Sequence, residues 1–339
     1  MSLGMQNESI IDIKNVAICM YGQYRTGDAC LEYIKKFYQA TNVNIDFFCS
    51  VKEYETSYTR LEYNKKTLGI TDHFDARPLD NTTIEYQSNQ IQTHYQPKKF
   101  EVYKTKNESV LLDMKHSILH SKVLMAWTES IMLKQQYEAE NNITYDLVIM
   151  QRYDVIVWPS FAFEKVLYGI QGLRVGDGGG TIPTSDKNIM FFEHINAFRP
   201  EQIGSFMYPN GQDLWVWGLG NSLDVWVYEA LQHIPSGLSS NYTKKQYNYA
   251  YPHYDTHEML ACICNKMNIP TSRFPLVSEK GAILPLQQRN TAGFKRPNPI
   301  VIRDSYWEDG VIPDLAALSN DEIEQLYNTR ILELWLKGI

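Results

Sequence analysis

The segment YDLVIMQRYDVIVW, residues 145–158, constrains the fold more than any other stretch of the chain. Leu147-Val148-Ile149-Met150 is an unbroken apolar run; Gln151-Arg152-Tyr153-Asp154 interrupts it, and Val155-Ile156-Val157-Trp158 resumes it. A strand apolar on both faces belongs in a parallel sheet covered by helices. In open α/β sheets ligands bind outside the carboxyl ends of the strands. Arg152 and Asp154, delivered to such an end, are therefore the first candidate site residues.

With 339 residues, 44% of them hydrophobic, the chain has ample material for a real core. Its formal charge of −7 argues against a surface that coats nucleic acid, so any polyanion must meet a local cationic site. No run approaches the roughly 18 apolar residues that span a bilayer, and the N-terminus lacks a basic segment followed by a long apolar one. Cys19, Cys30, Cys49, Cys262 and Cys264 contain no C-x-x-C and lack the density of a disulfide scaffold. The expectation is a soluble, cytoplasmic protein with no membrane span, a reading that leaves room for peripheral contact with a membrane surface.

Residues 1–14 form a polar lead. Asn15 to Tyr21 reads as a buried strand, Gly27 to Ala40 as a helix and Asn44 to Val51 as a second strand, the βαβ alternation of a parallel sheet. Residues 53–106 are polar and Tyr-rich and read as loops and short elements. Leu111 to Asn141 carries apolar residues at helical spacing and runs directly into the strand at Tyr145. Further strands are expected at Leu173 to Val175, Asn188 to Phe192 and the aromatic block from Asp213 to Gly218. Further helices are expected at 221–233, 256–267 and 321–336, the last opened by a Ser319-x-x-Glu322 capping box. No repeat or linker divides the chain, so one domain over 15–303 with a helical tail over 304–339 is the simplest arrangement.

Four pieces in this order, VAICMYGQYRT, YDLVIMQRYD, GQDLWVWG and HYDTHEMLACICNKMNI, resemble the small bacterial and viral glycosyltransferases of the GT-A type, which carry sugars from a nucleotide diphosphate. The resemblance covers most of residues 15–303. It implies an α/β fold with a mostly parallel central sheet flanked by helices. The implied partners are a UDP- or GDP-sugar donor and a glycan or glycolipid acceptor.

The resemblance places a donor contact at Arg25, whose planar guanidinium suits phosphate or the carbonyl edge of a uracil. Gly22 lets the loop turn without a side chain. The family's metal motif, Asp-x-Asp, aligns with Arg152-Tyr153-Asp154, so a cation replaces its first carboxylate. Asp154 could still hold Mn²⁺ or Mg²⁺ with donor phosphates and water, Arg152 could itself offset the charge a metal would offset, or the pair could simply close the strand. For catalysis the resemblance points to Asp213, ahead of Trp215 and Trp217, and to Glu258, with Asp255 a weaker third. The bland alternatives are a core strand with two packing tryptophans and an acid that merely starts a helix.

Other patterns are declined. His116 and His120 lack the Glu of a zinc-protease helix, and Gly176–Gly180 matches no phosphate-binding loop, although it could be a lid with Asp177 as a ligand. Two rival functions stay open: sugar-phosphate nucleotidyl transfer, and an inactive carbohydrate-binding or scaffold protein.

Overall fold

A computed structural model describes residues 12–39, 42–57, 75–103, 118–157 and 215–233 as continuous stretches, together with short pieces within 163–211 and 264–325. Its centre is a seven-stranded sheet. Across the sheet the strands run Thr271–Ser272, Met190–Phe191, Trp215–Leu219, Leu147–Arg152, Asn15–Tyr21, Asn44–Lys52 and Lys99–Tyr103. Only Trp215–Leu219 opposes the other six: it pairs antiparallel with both of its neighbours, while every other pairing in the sheet is parallel.

The first strand, NVAICMY, is buried along nearly its whole length because both of its faces are covered. Val16, Ile18 and Met20 join Cys30, Leu31, Ile34 and Phe37 of the helix Gly27–Phe37, and Ile91 and Tyr95 of the helix Asn81–Tyr95. Ala17, Cys19 and Tyr21 pack on the opposite side with Trp127 and Ile131 of the helix Ile118–Asn141, and with Trp226 and Val227 of the helix Ser222–His233. The period-2 alternation of the strand thus feeds two hydrophobic layers, as a doubly covered sheet requires.

Several expectations hold closely. The first two strands, the strand at 147 and the helix at 222 lie within a residue or two of where the sequence puts them. The capping box is formed: Ser319 donates its backbone N–H and its hydroxyl to Glu322 Oε2 at 2.8 and 2.6 Å, and Glu322 N–H donates to Ser319 Oγ at 3.3 Å.

One reading needs correction. Within 53–106, read from the sequence as loops and short elements, the described residues include the helix Asn81–Tyr95 and the edge strand Lys99–Tyr103. The helix, NTTIEYQSNQIQTHY, has few apolar residues, so its periodicity is weak; its start is fixed by Asp80, which accepts from Thr83 N–H at 2.7 Å. The central strand ends at Arg152, as a strand delivering charge to its own carboxyl end should, and the apolar run after Asp154 lies outside it. A turn at Tyr153-Asp154 redirects it, and Val155–Val157 pairs antiparallel with Pro299–Val301 in a separate sheet. Among the described residues no helix is long and apolar enough to cross a membrane.

Candidate functional site

Strand order makes one place on the sheet special. From the first strand the chain builds outward to Asn44–Lys52 and Lys99–Tyr103, then returns to place Leu147–Arg152 on the first strand's other side. The loops leaving those two central strands therefore diverge, and the crevice between them is where open α/β sheets bind ligands. Register brings the ends level: Tyr21 pairs with Arg152.

Each strand contributes an arginine there. After Tyr21 the chain turns through Gly22, whose φ of +97° suits glycine, and reaches Arg25 in the left-handed region at φ 45°. A non-glycine residue in that region costs about 1 kcal/mol or more, so the surroundings must hold it. They do: Gly27 N–H donates to Tyr24 O at 2.7 Å, and Arg25 Nε donates to Gln23 Oε1 at 2.8 Å. Beneath the loop the Tyr24 ring lies 5.9 Å from that of Tyr153, and Tyr153 donates its hydroxyl to Ser50 O at 3.1 Å. Burial pushes both phenols up, so they stay neutral.

The two arginines meet on Asp154. Arg152 grips it with two bonds, Nε to Oδ1 at 2.8 Å and Nη2 to Oδ2 at 2.5 Å, and Arg25 Nη1 reaches Oδ2 at 3.3 Å. The carboxylate is fully buried, whereas the Arg25 and Arg152 side chains keep 35% and 20% of their surface. Asp154 thus accepts from both guanidinium groups, and both arginines keep part of their surface open to solvent. Such a cluster can receive an anion with planar, bidentate geometry.

The same arrangement bears on the metal. Both oxygens of Asp154 already accept from guanidinium groups, and among the described residues no three His, Cys, Asp or Glu side chains gather. A hard cation asks for several oxygen ligands. In this arrangement Asp154 spends both oxygens on the two guanidinium groups.

The aromatic block resolves toward packing. Trp215 and Trp217 are fully buried, 4.9 Å apart at their ring centroids, with Trp217 against Phe163 and Trp215 donating to Tyr38 Oη at 2.9 Å. Tyr38 in turn donates to Gln151, so the polar residue ahead of Arg152 is locked into the core. Asp213, Glu258, Asp255, Asp177 and His116 lie outside the described residues.

One group escaped the sequence reading. Glu129, on the helix Ile118–Asn141, has both carboxyl oxygens buried with no hydrogen-bond partner among the described residues. Burial raises its pKa to about 8, against the opposing pull of nearby Lys52. In sequence it is one more acid on a long helix, and only packing distinguishes it. No protein family matches this chain, and no curated protein matches it either.

Proposed function

We propose that this protein is a glycosyltransferase that moves a sugar from a nucleotide diphosphate donor, a UDP- or GDP-sugar, to a glycan acceptor. The observation that carries this reading is the Arg25–Asp154–Arg152 cluster at the point where the strand order reverses. A diphosphate is the anion that best matches two adjacent guanidinium forks, since each fork can take a pair of oxygens. Sugar transfer leaves negative charge on the departing diphosphate, and preorganised cations aimed at that charge lower the barrier. Arg25 and Arg152 would bind and offset it, and Asp154 would hold both in place beforehand. The mostly parallel sheet with one reversed strand is compatible with the GT-A-like fold that the resemblance implies. Asp213 and Glu258 remain the proposed acids for the sugar and acceptor side.

Calorimetric titration of UDP-sugars and GDP-sugars, with and without Mn²⁺, tests the reading. Binding that does not need the ion, followed by sugar transfer to a glycan, is the expected result. A protein that ignores both donor classes under both conditions is not this enzyme, and a requirement for a sugar 1-phosphate with a nucleoside triphosphate would instead identify nucleotidyl transfer.

A further inference from the structure

Beside the arginine pair lies a second polar site. In the strand Asn44–Lys52, Phe48 packs into the layer of the helix Ile118–Asn141, its ring 5.6 Å from that of Tyr137, whereas Cys49 and Val51 belong to the opposite layer. Alternation then turns Ser50 and Lys52 toward that helix. Glu129, Leu133 and Tyr137 stand four apart on one ridge of the helix, which runs opposite to the strands. Eight residues back from Tyr137 is about 12 Å; four residues onward from Phe48 is about 13 Å. These distances match, and they set the Glu129 carboxyl over the carboxyl end of the strand, where Lys52 acts on its charge.

Ser50 is 2% exposed and its Oγ, like both oxygens of Glu129, has no hydrogen-bond partner among the described residues. Native proteins pair nearly all such atoms, so three unpaired ones on facing elements point to a ligand that pairs them. The site adjoins the arginines. Lys52 N–H donates to Gly22 O at 3.1 Å, tying it to the loop that carries Arg25. Ser50 follows Cys49, the partner of Met20, and Arg152 partners Tyr21, so Ser50 and Arg152 flank the first strand at a separation of about 10 Å.

We propose that Glu129 and Ser50 bind a vicinal diol of the nucleotide-sugar donor, an assignment that rests on reading Arg25 and Arg152 as its diphosphate site. A carboxyl group offers two oxygens at the spacing of two neighbouring hydroxyls, and the serine hydroxyl can donate or accept a third bond. The ribose and the transferred sugar both carry such a diol next to the diphosphate. Their recognition chemistry is the same.

Titration of UDP and GDP, their 2′-deoxy counterparts, UDP-glucose and GDP-mannose into the wild type, Glu129→Ala, Ser50→Ala and Arg152→Ala separates the sources. Removing an unpaired buried acid does not threaten the fold, and a thermal melt verifies this. If the diol is the ribose, the wild type prefers ribonucleotide over deoxyribonucleotide by about tenfold or more, and Glu129→Ala abolishes the preference. If it is the transferred sugar, a nucleotide sugar binds about tenfold tighter than the bare nucleotide, and the variant loses that margin. Ser50→Ala lowers the same preference to a smaller degree. Equal behaviour of wild type and Glu129→Ala toward every probe overturns the assignment. When Arg152→Ala still weakens all probes in that case, the diphosphate reading survives; a wild type that binds neither UDP nor GDP overturns both.

Discussion

Two ion clusters in this protein are built in opposite senses. Lys134, with 1% of its side chain exposed, sits between two helices and donates to both oxygens of Asp224 at 2.8 and 2.7 Å; its ammonium also lies 2.8 Å from Glu138. Burial alone would lower its pKa, but Asp224 and Glu138 outweigh that and raise it. There the cation is enclosed, its partners surround it, and one positive charge faces two negative ones. At the sheet edge the acid is enclosed instead, and two arginines reach outward from it. A buried cation ringed by acids is complete and serves the fold. A buried acid beneath two arginines holds their guanidinium groups toward the surface, where an anion from outside can meet them.

The contrast predicts different failures. Lys134→Met should destabilise the protein by about 3–5 kcal/mol, because two carboxylates lose the cation between them, yet leave nucleotide affinity per folded molecule unchanged. Denaturant unfolding and calorimetry on the same sample check both halves, and an affinity loss would blur the distinction. Glu129→Gln should stabilise by roughly 2–4 kcal/mol at pH 9. A carboxyl whose folded pKa is raised binds its proton more tightly in the native state, so stability falls as pH rises from 4.5 to about 8. The variant's advantage should therefore fade toward pH 4.5, and unfolding curves that differ equally at pH 5 and 9 would contradict it.

Effects at the sheet edge should be mainly on binding. Arg152→Ala should weaken UDP or GDP binding by about 1.5–3 kcal/mol, and unchanged affinity would remove the guanidinium from the site. Gly22→Ala comes last. Nothing lies within 4 Å of the added methyl, so strain at the positive φ is its only effect, about 1 kcal/mol in stability by thermal melting.

The same contrast explains what the sequence made legible. The run Leu147–Met150 ending in Arg152 and Asp154 is a local signal, because hydrophobicity and the abrupt polar stop sit within one strand, and the structure places that stop at the switch point. The bond from Arg25 to Asp154 spans 129 positions, and register creates it, not spacing. The helix Asn81–Tyr95 stays hidden because its polar residues give little periodicity, and the cap at Asp80 emerges only from the structure. Glu129 is indistinguishable in sequence from Glu138 on the same helix. Glu138 finds Lys134 and the N–H of Tyr145, whereas both carboxyl oxygens of Glu129 are buried with no hydrogen-bond partner among the described residues, a difference made by three-dimensional packing. Likewise, nothing local reveals that Trp215–Leu219 runs against its neighbours, since a strand buried on both faces reads the same in either direction.

Diffraction from crystals soaked with UDP or GDP tests the central claim most directly. The diphosphate is predicted between Arg25 and Arg152, with phosphate oxygens about 2.7–2.9 Å from both guanidinium groups and Asp154 still behind them. Nucleotide bound elsewhere, with both arginines turned only toward Asp154, would contradict it.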